Sequence, residues 1–179
     1  SEAGFLLSED QMRDLVPDGT NETYRRAGYV PLFDAKMAAQ YQHRAASVGM
    51  SGHTFRKISK ESSTVEDLLD PSYEVTAAYW VSANEVNARL GNWERDWLLG
   101  FKDVTGITST RLSAFAFIPR QGVGHPFPLV FLDQAKPSAY AAFAGYMNSL
   151  LVEYLLRQKM QGLHLTYFLV KQLPAPTPA

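Results

Sequence analysis

Two acidic residues and a lysine have the spacing that comes closest to a catalytic motif in this sequence. Pro17-Asp18 precedes Asp34-Ala35-Lys36, an order that loosely matches the PD…(D/E)xK layout of metal-dependent nucleases. In that chemistry two carboxylates hold Mg²⁺ and a lysine polarises the attacking water. An acid-x-Lys pair is a weak signal without its strand context, and Pro17-Asp18-Gly19 is an equally good turn. A Mg²⁺-dependent nuclease is therefore one hypothesis among several.

Other catalytic patterns are absent from the sequence. His43, His53, His125 and His164 do not form a His-x-x-x-His pair, and the chain has no cysteine, so neither a zinc site nor a cysteine nucleophile is indicated. The sequence contains no Gly-x-Ser-x-Gly elbow, no Walker A sequence and no Gly-x-Gly-x-x-Gly turn. These absences favour a protein that binds over one that catalyses.

Charge is unevenly distributed along a chain whose net charge is only −1. Residues 1–23 and 61–96 carry balances of −5 and −6, whereas residues 24–60 and 97–179 carry +6 and +4. Two basic segments can present one basic face to DNA while the whole chain stays near neutral, although a mixed-charge surface explains the same pattern.

Composition places the chain among ordinary globular proteins, since 46% of its residues are hydrophobic and 20% are charged. It has no apolar run approaching the roughly 18–20 residues that span a bilayer. The lack of cysteine is typical of proteins of the reducing cytoplasm, which is the expected location.

Periodicity and turn signals predict the elements that position the polar residues. We expect a helical or linker segment over residues 1–23, with a short helix ending near Val16, and one main domain over 24–179. An edge strand is expected at Tyr29–Phe33, because Pro31 cannot donate to a ladder. The composition of residues 35–46 favours a helix.

The second half of the chain predicts a twisted, mostly antiparallel or mixed sheet and a long C-terminal helix, an α+β fold. Expected strands cover 79–81, 97–104, 109–118 and 128–132, and a turn covers 122–124. A capping box predicts a helix over 83–90, and the apolar stripe of residues 139–160 predicts one long helix with Gly162 at its C′ position.

Four groups of short motifs occur in order over residues 29–176. They are Val30–Met37 with Gln40–Arg44, Tyr79–Val81 with Trp97–Thr105, Ser109–Ser113 with Pro119–Leu129, and Asn148–Leu150 with Arg157–Pro174. Together they resemble the C-terminal target-recognition region of adenine-N6 DNA methyltransferases in type IIG restriction–modification enzymes and related phage-defence methylases. The final helix, glycine and Leu-Pro ending also resemble recognition domains of type I specificity subunits. Ala35 replaces the usual glycine, and Lys102 stands where the family has arginine.

The resemblance implies a recognition domain that follows a methyltransferase domain and grips the major groove of double-stranded DNA. The chain contains no Asn/Asp-Pro-Pro-aromatic motif for the flipped adenine and no Gly-rich turn for S-adenosylmethionine. We therefore expect a non-catalytic fragment of a larger bacterial protein. S-adenosylmethionine, and Mg²⁺ if the parent also cleaves DNA, would belong to the catalytic domain of the same polypeptide.

Candidate DNA contacts follow from this reading, because phosphates need cations and base edges need donors and acceptors. Arg111 is the first candidate, beside Ser109 and Thr110 at a turn between strands, where arginine can reach guanine with two hydrogen bonds. Lys102 and Arg120 are expected to extend this patch along the same sheet.

Two further clusters complete the predicted interface. Lys36, His43 and Arg44 would share one face of the helix over 35–46, and Lys159 and His164 would lie around the end of the long helix. The terminal cations also suit the helix dipole without any ligand. A protein-interaction or structural domain without DNA affinity remains open as an alternative, as does the Mg²⁺-dependent nuclease.

Overall fold

The computed structural model describes residues 6–16, 19–50, 57–106, 108–133 and 135–174. Its fold is α+β, as predicted, with a mixed sheet and helices that pack beside it. The strands are β1 Leu6–Ser8, β2 Tyr29–Phe33, β3 Ala46–Met50, β4 Lys57–Ser62, β5 Tyr79–Ser82, β6 Trp97–Phe101, β7 Phe115–Pro119 and β8 Gly122–Val123. The α-helices are α1 Glu9–Leu15, α2 Asn21–Arg26, α3 Val65–Leu69, α4 Ala83–Leu90, α5 Pro137–Met147, α6 Leu150–Lys159 and α7 Tyr167–Lys171, and a 3₁₀ helix covers Ala35–Met37.

The largest sheet has the strand order β1-β5-β2-β8. Strand β5 pairs antiparallel with both β1 and β2, and β8 runs parallel to β2. The predicted N-terminal helix is confirmed as α1, which is capped by Ser8 and ends at Val16. Strand β1, in the segment predicted as a helical linker, adds an edge to the sheet of the main domain.

Strand β2 was predicted correctly, but its placement at the sheet edge was wrong. Tyr29 to Pro31 pair with β5, whereas Leu32 and Phe33 pair with β8. Pro31 therefore stands where the strand has a partner on one side only. This one-sided pairing suits proline, which has no N–H to donate to a second partner strand.

The predicted helix over residues 35–46 is wrong. Only Ala35–Met37 is helical, as a 3₁₀ turn, and a bridge between Ala39 and Gln42 follows it. Tyr41 has a φ of 60°, a left-handed conformation that interrupts any α-helix. Met37 and Ala38 are buried, so tertiary packing outweighs the helical propensity of this segment.

The β6–β7 hairpin is buried on both faces. On one face Leu98, Ala116 and Ile118 pack into a core that includes Phe33 and Phe127. The opposite face packs against α5 and α6 through a second core, whose members include Leu99, Phe101, Phe115, Tyr140, Met147 and Leu156. The hairpin is thus the wall between the two main cores, and its loops open at the molecular surface.

The hairpin includes a close approach at Gly100 that gives the first testable prediction. A Cβ at this position would lie 2.3 Å from Cε1 of Phe127 and 2.9 Å from the backbone oxygen of Pro128. We expect Gly100→Ala to lower the free energy of unfolding by about 1–3 kcal/mol through overpacking. Gly145→Ala is the matched control in α5, because a Cβ there meets nothing within 4 Å. Alanine in a helix should raise stability by about 0.5–1 kcal/mol. Denaturant titrations measure both variants, and equal stability of Gly100→Ala and wild type would contradict the tight packing.

The single long helix predicted over 139–160 is two helices, α5 and α6, separated by Asn148 and Ser149. The Ser149 hydroxyl accepts from the N–H of Val152 at 3.3 Å and so caps a new helix. The Asn148 side chain bonds both the N–H and the carbonyl of Phe115, each at 2.9 Å, which ties the break to β7. Gly162 does not serve as the C′ residue, because α6 already ends at Lys159 with Met160 as its cap.

Several shorter predictions also change. Residues 128–132 form only a bridge from Leu129 to Gly100, and residues 109–114 before β7 are irregular. Strand β5 and helix α4 match their predicted positions, although Ser82 makes no side-chain cap. The turn predicted at 122–124 instead contains strand β8. Among the helices of the described ranges, none combines the length and the apolarity needed to cross a bilayer.

Candidate nucleic-acid interface

A cleft of about 380 Å³ lies beside the end of β6 and the irregular loop that precedes β7. Its polar lining comes from three parts of the chain: Gln40, Lys102, Thr105, Ser109, Thr110 and Arg111. Four of these residues were predicted as DNA contacts, whereas Gln40 and Thr105 were missed as contacts. The sequence analysis named Gln40 only as part of a motif. Nothing in the sequence indicated that the residues after the 3₁₀ helix would lie beside the loop that precedes β7.

Arg111 is the most unusual side chain of the cleft. It is half-buried, and its Nη1 atom is shielded from solvent without a hydrogen-bond partner among the described residues. Leaving a buried donor unpaired costs free energy, more so for a charged group. Thr105 donates from its hydroxyl to the Arg111 carbonyl at 3.2 Å, which fixes the main chain but leaves the guanidinium atom unpaired. The guanidinium of Arg111 therefore keeps donor capacity for a further acceptor.

The loop that carries Arg111 is held from behind by helix α6. Glu153 is buried, and its carboxylate accepts from the N–H groups of Leu112 at 2.9 Å and Ser113 at 3.3 Å. Arg157 forms an ion pair with Glu153 at 2.8 Å. Its Nη2 also donates to the carbonyls of Ser109 at 3.0 Å and Thr110 at 3.3 Å. Arg157, which the sequence analysis named only as part of a motif, therefore positions the residues that line the cleft.

Gln40 is fixed to the same framework. Its Nε2 donates to the carbonyl of Asn148 at 2.6 Å and reaches the carbonyl of Ser113 at 3.4 Å. The residue at the break between α5 and α6 therefore also holds Gln40, which lines the cleft. The amide oxygen of Gln40 keeps its acceptor capacity for another group.

Comparisons with family models, with curated proteins and with solved structures returned no match. The assignment of a function to this chain therefore depends on the chemistry and geometry of the described residues.

The second predicted cluster does not form, because the helix that would have carried it is absent. Lys36 is exposed on the 3₁₀ helix. Arg44 donates to the carbonyls of Asp70 at 2.8 Å, and of Tyr73 and Leu68 at 2.9 Å. These bonds commit its guanidinium to bracing the segment before β5, which is a structural role.

His43 lies in a different cavity from Arg111. It is half-buried and lines a pocket of about 440 Å³ that sequence reasoning missed entirely. Burial lowers the pKa of His43, and the neighbouring Arg44 charge lowers it further. The imidazole is therefore neutral at pH 7, which makes it a donor–acceptor group and not a phosphate-binding cation.

The predicted patch of Lys102 and Arg120 is also wrong. In the hairpin register Trp97 faces Pro119 and Phe101 faces Phe115, so Lys102 and Arg120 follow opposite ends of the ladder. A five-residue strand separates its ends by roughly 13 Å. Arg120 donates to Asn87 Oδ1 at 3.0 Å and to the carbonyl of Trp93, which joins the hairpin to the end of α4.

The remaining candidates lie near the C-terminal end of α6. Lys159 is exposed in the last turn of that helix. His164 lies 3.1 Å from the buried Asp103 through Nδ1, and a β-bridge joins it to Val104. Since Asp103 directly follows Lys102, His164 sits near the main chain that leads into the cleft. A direct DNA contact by Lys159 or His164 stays a prediction.

The nuclease pattern gains no support from the described part of the chain. Asp34 is buried and caps the 3₁₀ helix by accepting from the N–H of Lys36 at 3.0 Å. Pro17 and Asp18 lie outside the described residues. In the ranges that the structure describes, no three His, Asp or Glu side chains group closely enough to hold a metal ion.

Proposed function

We propose that this chain is the sequence-specific DNA-recognition domain of an adenine-N6 DNA methyltransferase or restriction–modification protein. It would position double-stranded DNA for a catalytic domain outside this chain. The observation that carries the proposal is the Arg111 cleft, in which predicted DNA contacts from separate segments line one cavity. The order of motifs over residues 29–176 supports the same function by resemblance.

The side chains of the cleft suit the chemistry of DNA. An arginine can donate two parallel hydrogen bonds to guanine, and a glutamine can pair with adenine, so Arg111 and Gln40 are the candidates for reading bases. Lys102 supplies a cation for a phosphate, and Ser109 and Thr110 supply hydroxyl groups for phosphate or base contacts. The brace from Glu153 and Arg157 holds the loop before DNA arrives, which lowers the entropic cost of binding.

The catalytic parts belong elsewhere in this proposal. The methyl donor S-adenosylmethionine, and Mg²⁺ where the parent protein also cleaves DNA, would be bound by the methyltransferase domain of the same polypeptide. The domain would act in the bacterial cytoplasm, in defence against phage DNA.

The first test is duplex binding as a function of salt. We expect the chain to bind duplex DNA with an affinity that falls as the salt concentration rises, because phosphate contacts release counterions. Lys102→Ala should weaken binding on all sequences and reduce the slope of log K against log salt by about one. Lys136→Ala, at the exposed N-terminus of α5, is the matched control and should leave the slope unchanged. Absence of salt-dependent binding by the wild-type chain would contradict the proposal.

A protein-interaction domain without DNA affinity is the second candidate. It is favoured by the exposed apolar residues on helix α6, where Leu150 is 71% exposed, Leu151 58% and Tyr154 63%. Exposed apolar clusters of this kind often mark protein contacts. The salt titration separates the two functions, because a pure interaction domain would show no binding to duplex DNA at any salt concentration.

A further inference from the structure

A second cavity, of about 440 Å³, lies between β2, the turn before β8 and the segment that leads into β5. Its walls are mostly flat or apolar side chains from these elements: Pro31, Phe33, Pro71, Tyr73, Val75 and Pro119. Pockets of roughly 300–1,000 Å³ with apolar walls and a few polar groups are typical sites for small ligands. The volume and the lining of this cavity fit that description.

Two polar side chains in this pocket have no hydrogen-bond partner among the described residues. Gln121 is only 9% exposed and lines the cavity. His43, half-buried in the same lining, contributes a neutral imidazole. Both side chains therefore keep donor and acceptor capacity for a ligand that enters the pocket.

Another part of the lining is held by hydrogen bonds. Arg44 donates to three carbonyls of the 68–73 segment, and its guanidinium lies 5.9 Å from the centroid of the Tyr73 ring. The hydroxyl groups of Ser63 and Tyr73 are 3.1 Å apart. Tyr73 is thereby fixed before any ligand binds, and preorganised walls favour affinity.

The charged groups around the pocket are balanced. Arg25 donates to both carboxylate oxygens of Glu74 at 2.8 Å, and Asn21 donates to the same carboxylate at 2.7 Å. Hydrogen bonds from the side chain and backbone of Ser72 lower the pKa of Asp70, and the charge of Arg44 lowers it further, so an anion stands near the remaining cation. The pocket therefore lacks the excess positive charge that a phosphate would need, which favours a neutral ligand.

We propose that this pocket binds a neutral, planar nitrogen heterocycle of the nucleobase class. The Gln121 amide offers a donor and an acceptor side by side, which match the adjacent acceptor and donor on one edge of a base. His43 adds one donor or acceptor, and the aromatic and proline walls cover the faces of the ring. The ligand could be a free nucleoside or a base swung out of DNA. The proposal does not depend on the Arg111 cleft.

The test measures binding of free adenosine and cytidine to the 179-residue chain by saturation-transfer NMR and calorimetry, with no DNA present. We expect saturable binding of at least one nucleoside, weakened about tenfold by Gln121→Leu through loss of the paired amide. Gln121→Glu keeps the size and polarity of the side chain and removes its N–H donor, so it should weaken binding as well. Gln158→Leu, on the exposed face of α6, is the matched control and should bind like wild type.

The outcomes separate this proposal from DNA recognition. Because nucleoside binding is measured without DNA, failure of the chain to bind a paired duplex leaves this result unaffected. Tighter binding to a duplex with one unpaired adenine, with the gain lost in Gln121→Leu, would identify an extruded base as the source. Equal binding to both duplexes, with nucleoside binding intact, would identify a free nucleoside. No saturable binding by folded wild-type chain, or equal binding by wild type and both folded Gln121 variants, would overturn the proposal.

Discussion

Glu153→Leu is expected to lower the free energy of unfolding by about 3 kcal/mol, because two buried N–H groups lose their acceptor at a cost of roughly 1–3 kcal/mol each. Those donors belong to Leu112 and Ser113, which are fully buried. The leucine would also leave Arg157 without its ion-pair partner. Guanidinium-chloride titration followed by circular dichroism measures the loss.

Two further substitutions make this result specific. Glu153→Gln keeps an acceptor oxygen for one N–H group, so its loss should be smaller than that of leucine. Glu94→Leu applies the same change to an exposed glutamate and should alter stability by less than about 0.5 kcal/mol. If Glu153→Leu were no less stable than Glu94→Leu, the carboxylate would not be the anchor of the loop.

Arg111→Ala is expected to weaken binding to the recognised duplex by about 10- to 100-fold, which corresponds to the roughly 1–3 kcal/mol of a bidentate base contact. The recognised sequence is first obtained by selecting bound duplexes from a randomised library. On a scrambled duplex the loss of affinity should be much smaller, because there the substitution removes only a positive charge near the phosphates. Fluorescence anisotropy at one fixed salt concentration compares the two duplexes.

Arg111→Lys distinguishes charge from geometry at the same position. Lysine keeps the positive charge but not the planar pair of donors, so the variant should retain the salt dependence and lose discrimination between the two duplexes. Arg89→Ala, whose side chain is 83% exposed on α4, is the control and should bind both like wild type. Equal losses on the selected and scrambled duplexes with Arg111→Ala would show that Arg111 contacts phosphate and reads no base.

The elements that could be predicted from sequence are those with strong local signals. Strand β5 was predicted from its aromatic and β-branched residues, and helix α4 from a capping-box pattern. The helix expected over 35–46 failed because the burial of Met37 and the left-handed Tyr41 depend on contacts distant in the chain. The break between α5 and α6 at Asn148 was not predicted, for a similar reason. Its side chain satisfies the backbone of β7, which no local pattern reveals.

The candidate site was predicted only in part. Lys102 and the 109–111 segment meet in one cleft because both adjoin the β6–β7 hairpin, which the two strand patterns already implied. Arg44 and Arg120 were chosen for their charge, but their guanidinium groups bond main-chain and side-chain oxygens within the fold. Residue type shows that arginine can bind DNA, whereas only the surrounding acceptors show what a given arginine does.

The brace behind the cleft contacts peptide groups and not side chains. Glu153 binds the N–H groups of Leu112 and Ser113, and Arg157 binds the carbonyls of Ser109 and Thr110. Every residue type except proline offers the same N–H, and every residue offers the same carbonyl. The side chains of Thr110 and Arg111 can therefore be exchanged during evolution without loss of the bonds from Glu153 and Arg157. Under the proposed function, such exchanges would change the recognised DNA sequence while the fold stays the same.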